Sequence, residues 1–333
     1  MTLDATTLPV IFASLMGLSI LLYVILDGFD LGVGLLFPFA TPDERDRMIA
    51  SIGPFWDANE TWLVLAIGLL LVAFPAAHGA ILTALYLPVF VMLIGLILRG
   101  VAFEFRAKAP RAQKKWWDGA FFTGSLMTAL SQGFMLGLYI LGLDWSVVAV
   151  AFATLTAGAL GVAYSFIGAA WTILKADGAL QRKAVGWARG GIWGVVLGMG
   201  AVSLATPLTS DRIMAKWFDF PQIVALAPLP LMSLALIVIL WIALRNLPTA
   251  DDRFAWVPFT GAIGLMSLGF AGMAYSFYPY VVPERMELYE AAAAPESLRI
   301  ILYGALLVIP VILAYTALAY VVFRGKATSL SYD

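Results

Sequence analysis

Long apolar segments alternate with short polar stretches along almost the whole chain of 333 residues. A helix needs roughly 20 apolar residues to cross the hydrocarbon core of a bilayer. Helices are the structure expected for such runs, because the backbone has no water to bond in lipid. Nine segments qualify, and we predict helices at residues 8–37, 50–74, 78–105, 118–141, 145–174, 184–206, 220–245, 256–279 and 298–323. The pattern predicts an all-α polytopic membrane protein of about nine transmembrane helices, folded as one integral membrane domain over residues 1–333.

Composition supports a membrane location. The chain is 62% hydrophobic and 12% charged, with a mean hydropathy of +0.92, whereas a soluble domain is nearer half apolar and one quarter charged. The net charge of −1 gives no indication of a nucleic-acid partner. Residues 1–7 carry no Lys or Arg, so we expect the first apolar segment to be a membrane helix and not a signal peptide.

The residues that usually hold redox cofactors are scarce. The chain has no Cys, which excludes disulfides, iron–sulfur clusters and thiolate metal sites made by this chain alone. Its one His, His78, lies in a predicted short outer turn, where we expect a surface or capping residue. A redox protein with several metal centres needs more ligands, so we expect a partner to carry most of any electron chemistry.

The distribution of Lys and Arg predicts the orientation. Sixteen of the 20 basic residues lie at the C-terminus or in the loops after the first, third, fifth and seventh segments, when residues at the adjoining helix ends are included. Cytoplasmic loops carry an excess of Lys and Arg. The N-terminus is therefore predicted outside and the C-terminus in the cytoplasm.

Two pairs of acids lie inside or beside apolar segments, where ionisable side chains are costly and mark functional sites. Asp27 and Asp30 are three residues apart and share a helix face, as do Asp57 and Glu60. Neighbouring glycines would let another helix approach Asp27 and Asp30 closely. Both pairs are predicted at one depth, which favours a proton entry path. Acids that cap helix ends, within an interfacial belt that includes Trp56, are the structural alternative.

Arg99 lies deep in the third segment and requires a carboxylate partner. Asp57, Glu60 or an acid of another subunit could supply it, or the side chain could extend to the interface. In the fourth segment, a stripe of Ser125, Thr128, Ser131 and Gln132 is typical of contacts between helices.

Five motifs, in order along almost the whole chain, resemble subunit II of the cytochrome bd quinol oxidases. They are LDGFDLGVG at 26–34, SIGPFWDANETWL at 51–63, RGVAFEFR at 99–106, GAAWTILK at 168–175 and FYPYVVP at 277–283. The form FWDANETW is similar to the cyanide-insensitive branch of the family.

The resemblance implies two four-helix bundles plus one peripheral helix, and a heterodimer in the bacterial inner membrane. The partner, subunit I, would bind two b-type haems and one d- or b-type haem, oxidise quinol and reduce oxygen to water. This chain would bind none of the haems alone. Some members of the family add a small single-span accessory subunit, and some hold a structural quinone in this subunit. Membrane lipid would surround the complex.

The resemblance also assigns roles to individual positions. Asp57 and Glu104 match acids on a proton path from the cytoplasm, although other members hold Asp at the position of Glu104. With Glu60, Asp30 and Asp27 they form the predicted proton path. In the same way, Trp62 and Arg99 match residues beside an oxygen path, and we add Trp56 as a candidate for that path or for the subunit interface.

Two other classes of function fit the pattern of buried acids. A proton-coupled transporter also carries intramembrane acids, but usually has discontinuous helices in both halves. A purely structural assembly subunit would tolerate neutralisation of each acid in turn.

Overall fold

Most of the chain is helical in the structure, which is a computed structural model. It describes residues 6–208 and 210–327. The α-helices are α1 Thr7–Leu35, α2 Pro42–Ile52, α3 Trp56–Ala73, α4 Pro75–Ala84, α5 Tyr86–Lys108, α6 Arg111–Ile140, α7 Val147–Lys175, α8 Gly178–Leu208, α9 Asp211–Phe218, α10 Gln222–Leu226, α11 Pro228–Asn246, α12 Val257–Phe277, α13 Leu288–Ala291 and α14 Pro295–Val322. A 3-10 turn spans Phe37–Phe39, and strands β1 Tyr280–Val282 and β2 Met286–Glu287 form an antiparallel hairpin. The predicted all-α membrane fold is confirmed.

Prolines divide two of the predicted segments. Residues 50–74 are not one helix, because α2 ends at Ile52 and α3 begins at Trp56, with Pro54 between them. Pro54 has no N–H for the helical ladder. The predicted segment 78–105 is divided at Leu85, because Pro88 clashes with the carbonyl of the residue four positions earlier. His78 lies in the first turn of α4, not in a loop.

Eight helices within the described ranges are long and apolar enough to cross a membrane. Helix α6, with 30 residues, is not among them. Its first turns are polar and basic, and Ser, Thr and Gln lie farther along, so its hydropathy is low. The predicted count of nine spans therefore remains a prediction, and so does the orientation.

Glycines bring the central helices together. Helix α1 packs against α3, α6 and α7, while α7 also contacts α8 and α12. At the crossing of α1 and α7, a Cβ on Gly32 would lie 1.7 Å from the carbonyl oxygen of Tyr164. Helices α5 and α6 cross as closely, since a Cβ on Gly124 would lie 2.7 Å from the backbone nitrogen of Arg99. The predicted close approach at the glycines of the first segment is confirmed.

Ion pairs join α2, α5 and α6 at one end of this bundle. The guanidinium of Arg106 lies 2.5 Å from Asp118 and 2.8 Å from Asp46, while Arg45 lies 2.9 Å from Asp118. Burial opposes ionisation of Asp46, but hydrogen bonds from Lys114 and Arg106 hold the pKa of its carboxyl below the usual value. Arg106 is thus a buried structural cation.

Candidate functional site

Arg99 is enclosed in the protein between two carboxylates. Its Nη1 lies 2.6 Å from Oδ1 of Asp27 on α1, and its Nη2 lies 3.2 Å from Oε2 of Glu60 on α3. Arg99 is 1% exposed and Asp27 is fully buried. A buried charge is tolerated when it is paired. The sequence therefore predicted Glu60 correctly as a partner, whereas Asp57 is not one, and Asp27 was missed.

Asp30 lies one helical turn from Asp27 and has a different partner. The Nδ2 of Asn59 donates to Oδ2 of Asp30 at 2.8 Å and to the carbonyl of Leu26 at 3.2 Å. The hydroxyl of Tyr320, on α14, donates to Oδ1 of Asn59 at 3.0 Å. Three helices thus meet at one buried amide.

A second polar contact lies between α1, α6 and α7. Gln132 donates to the hydroxyl of Tyr23 at 2.6 Å and accepts from the hydroxyl of Tyr164 at 2.6 Å. The predicted role of Gln132 in joining helices is confirmed. Tyr164 therefore has a polar role as well as a packing one.

Several buried polar atoms of this region have no hydrogen-bond partner among the described residues. They are Oδ1 of Asp30, Nε of Arg99, Nε1 of Trp62, Oγ of Ser125 and Oγ1 of Thr128. Buried polar groups are normally satisfied by protein or by internal water. The arrangement therefore suits a polar interior that holds water between α1, α3, α5 and α6.

The two acids nearest the surface lie apart from this cluster. Asp57 is exposed in the first turn of α3. Glu104 is partly exposed at the end of α5, where its carboxylate lies 3.9 Å from Nζ of Lys108. The structure therefore brings together Asp27, Asp30 and Glu60, and leaves Asp57 and Glu104 outside.

The two tryptophans of the predicted oxygen path differ in their surroundings. Trp62 is 1% exposed, on the inner side of α3. Trp56 is half-buried and lies against Phe103, with ring centroids 5.0 Å apart. Since Trp62 and Arg99 are buried within this chain, they offer little surface to a partner.

Sequence reasoning missed the importance of Asn59, Tyr23 and Tyr320. Asn59 lies between Asp57 and Glu60, and an amide gives a weaker sign of function than a carboxylate in an apolar segment. Tyr320 is 261 residues away from its partner Asn59, so no local pattern could have joined them. No cluster of three or more His, Cys, Asp or Glu that could hold a metal ion occurs in the described ranges.

Residues 8–323 match the model of a protein family described as cytochrome bd terminal oxidase subunit II. The chain belongs to this family. It is 25% identical to cytochrome bd-I ubiquinol oxidase subunit 2 of Escherichia coli strain K12, over 98% of this chain and 97% of that protein. A stretch of 116 residues is 42% identical to cytochrome bd ubiquinol oxidase subunit 2 of Bacillus subtilis, covering 33% of this chain and 34% of that one.

The fold agrees with this membership. A chain in the structure of bd oxidase from Geobacillus thermodenitrificans aligns with a TM-score of 0.71 at 18% identity, covering 96% of this chain and all of that one. The subunit II resemblance seen in the sequence is confirmed. The chain is thus a multi-pass membrane subunit of an oxidoreductase complex, the cytochrome bd oxidase.

Proposed function

We propose that this chain is the haem-free subunit II of a cytochrome bd-type quinol oxidase in the bacterial inner membrane, with its N-terminus outside. Subunit I, the partner, carries the haems, oxidises quinol and reduces oxygen to water. This chain supplies carboxylates for proton entry from the cytoplasm and supports the fold of the partner. Its single His and absence of Cys favour this division of labour.

The position of Glu60 carries the proposal. Its carboxylate accepts from the buried Arg99, yet the side chain is 28% exposed, so it joins the interior to the surface. Asp57 is one turn earlier on the same helix and on the same face. A proton that enters at Asp57 can pass through Glu60 to the enclosed acids Asp27 and Asp30.

The unsatisfied polar atoms favour the same route. Ser125 and Thr128 lie on α6, which meets α5 beside Arg99. Water held by such groups would bridge acids that are not in direct contact. Proton supply through this chain and electron supply through the partner would together generate a membrane potential.

In this proposal, Glu104 and Asp57 lie on the face of this chain that is next to subunit I. Both are at least partly exposed in this chain, and ionisable groups of membrane helices face water or a protein neighbour rather than lipid. Subunit I would lie beside this face, leave Asp57 open to the cytoplasm and receive the protons. For oxygen, Trp62 is the better candidate, because Arg99 carries a charge and two ion pairs.

The test is substitution of Asp57 in the purified complex. Asp57→Asn should slow quinol oxidase turnover while the haem spectrum stays normal, because only one surface proton acceptor is lost. Asp219→Asn, at an exposed acid away from this face, is the matched control. Unchanged turnover with all haems present would contradict the proton role. Loss of haem together with activity would indicate an assembly role instead.

A further inference from the structure

Helix α14 buries few of its side chains, yet its half-buried Tyr320 reaches the candidate site. The ring of Tyr320 stacks on Phe55, with centroids 4.5 Å apart and planes at 22°. It also meets the rings of Trp171 and Phe29 edge-on, at 6.1 and 6.5 Å. These aromatic contacts fix the ring, and hence the direction in which its hydroxyl points.

The hydroxyl of Tyr320 completes the hydrogen bonding of Asn59. The two N–H groups of the amide are used by Asp30 and by the carbonyl of Leu26. Its oxygen accepts from Tyr320. An amide in which both ends are satisfied can adopt one orientation only, because a flipped amide would present donors to the hydroxyl and an oxygen to the carboxylate.

The end of α14 is held in place close to Tyr320. Nζ of Lys175, on α7, donates to the carbonyls of Phe323 and Gly325, the latter at 3.0 Å. A cation is favourable at a helix C-terminus. The backbone N–H of Ala327 in turn donates to the carbonyl of Lys175 at 2.8 Å. Phe323 is one turn after Tyr320, so this anchor holds α14 at the height where the hydroxyl meets Asn59.

We propose that Tyr320 is a positioning residue for Asp30, acting through Asn59. Its hydroxyl fixes the amide, and the amide fixes the carboxylate in the geometry needed for proton transfer. Asn59 has no ionisable proton, so it orients Asp30 and does not carry protons itself. The inference rests on the proposed function, in which Asp30 is a proton carrier.

Tyr320→Phe in the whole oxidase complex is the test, because it keeps the stacked ring and removes only the hydroxyl. We expect the kcat of quinol oxidation to fall about fivefold, the effect of one lost hydrogen bond. The KM for quinol and the haem spectrum should stay unchanged. Tyr315→Phe, at an exposed tyrosine of the same helix, is the matched control and should have no effect. An unchanged kcat in Tyr320→Phe would overturn the proposal.

A double-substitution cycle separates this inference from the proposed function. If Asp30→Asn slows turnover and Tyr320→Phe then adds nothing, both stand. If the two effects multiply, or if only Asp30→Asn slows turnover, Tyr320 does not act through Asp30 and the inference fails alone. If Asp30→Asn is without effect, the proton role of Asp30 fails and the inference with it.

Asn59→Leu provides a second route to the same result. It removes the link between Tyr320 and Asp30 while leaving both in place. We expect it to lower kcat at least as much as Tyr320→Phe, and to make Tyr320→Phe silent. A further loss on adding Tyr320→Phe to Asn59→Leu would overturn the proposal.

Discussion

Arg99 and Asp27 form an ion pair of 2.6 Å between α5 and α1, and both side chains are buried. Since Glu60 lies on the other side of the guanidinium, one cation pairs with two acids that come from different helices. The pair therefore fixes the packing of α1, α3 and α5 as well as the charge of the interior.

Removal of the cation should be costly. Arg99→Gln leaves Asp27 buried without a counter-charge, and breaking a buried pair from one side typically costs about 3–5 kcal/mol. We expect a clearly lower melting temperature of the purified complex. Asp27→Asn combined with Arg99→Gln should recover part of the loss, because the only carboxylate then left without Arg99 is that of Glu60, which is 28% exposed. A melting temperature of Arg99→Gln equal to that of the parent would contradict the assignment.

The crossing of α1 and α7 should not tolerate a side chain at Gly32. A Cβ there would lie 1.7 Å from a backbone carbonyl, so the helices must separate. Overpacking of this kind costs about 1–3 kcal/mol or more. Gly32→Ala should therefore lower the melting temperature of the complex and its yield.

Gly186→Ala is the matched control for Gly32→Ala. Gly186 lies in α8, and nothing is within 4 Å of the position of its added Cβ. Alanine is the better helix former, so stability should be unchanged or slightly higher. Equal effects of the two substitutions would show that helix propensity, and not the close approach, decides the outcome.

Asp118 should stabilise the end of the bundle where α2, α5 and α6 meet. Asp118→Ala removes the carboxylate that Arg106 and Arg45 share, and Arg106 is 2% exposed. Leaving a buried guanidinium half-paired should cost about 3 kcal/mol, at the lower end of the range because Asp46 remains. Thermal unfolding of the complex measures the loss. Asp219→Ala, at an exposed acid, should change little.

The sequence predicted the positions of the long helices and the candidate acids better than it predicted which side chains contact those acids. Apolar length placed the long helices, because lipid admits few other structures. The i,i+3 spacing placed Asp27 and Asp30 on one face, yet Asp27 contacts Arg99 of α5 and Asp30 contacts Asn59 of α3. Which helices flank α1 depends on tertiary packing, which periodicity does not encode.

Local sequence patterns also do not predict contacts between residues that are distant in sequence, or the interruptions between helices. The sequence offered Glu60 as one of the possible partners of Arg99, because a buried guanidinium requires a carboxylate. Tyr320 could not be considered, because α14 follows Asn59 by more than two hundred residues. Pro54 could have indicated the division between α2 and α3, but the apolar residues around it continued through the break.

The membrane potential that the reconstituted oxidase generates is the most direct measure of whether this chain supplies protons. In proteoliposomes, Glu60→Gln should lower both quinol oxidation and the potential several-fold, with a full haem spectrum, because the link from the surface to Asp27 and Asp30 is lost. Glu296→Gln, at an exposed acid in the first turn of α14, should behave as the parent. A Glu60→Gln enzyme that turns over and builds the potential like the parent would contradict the account.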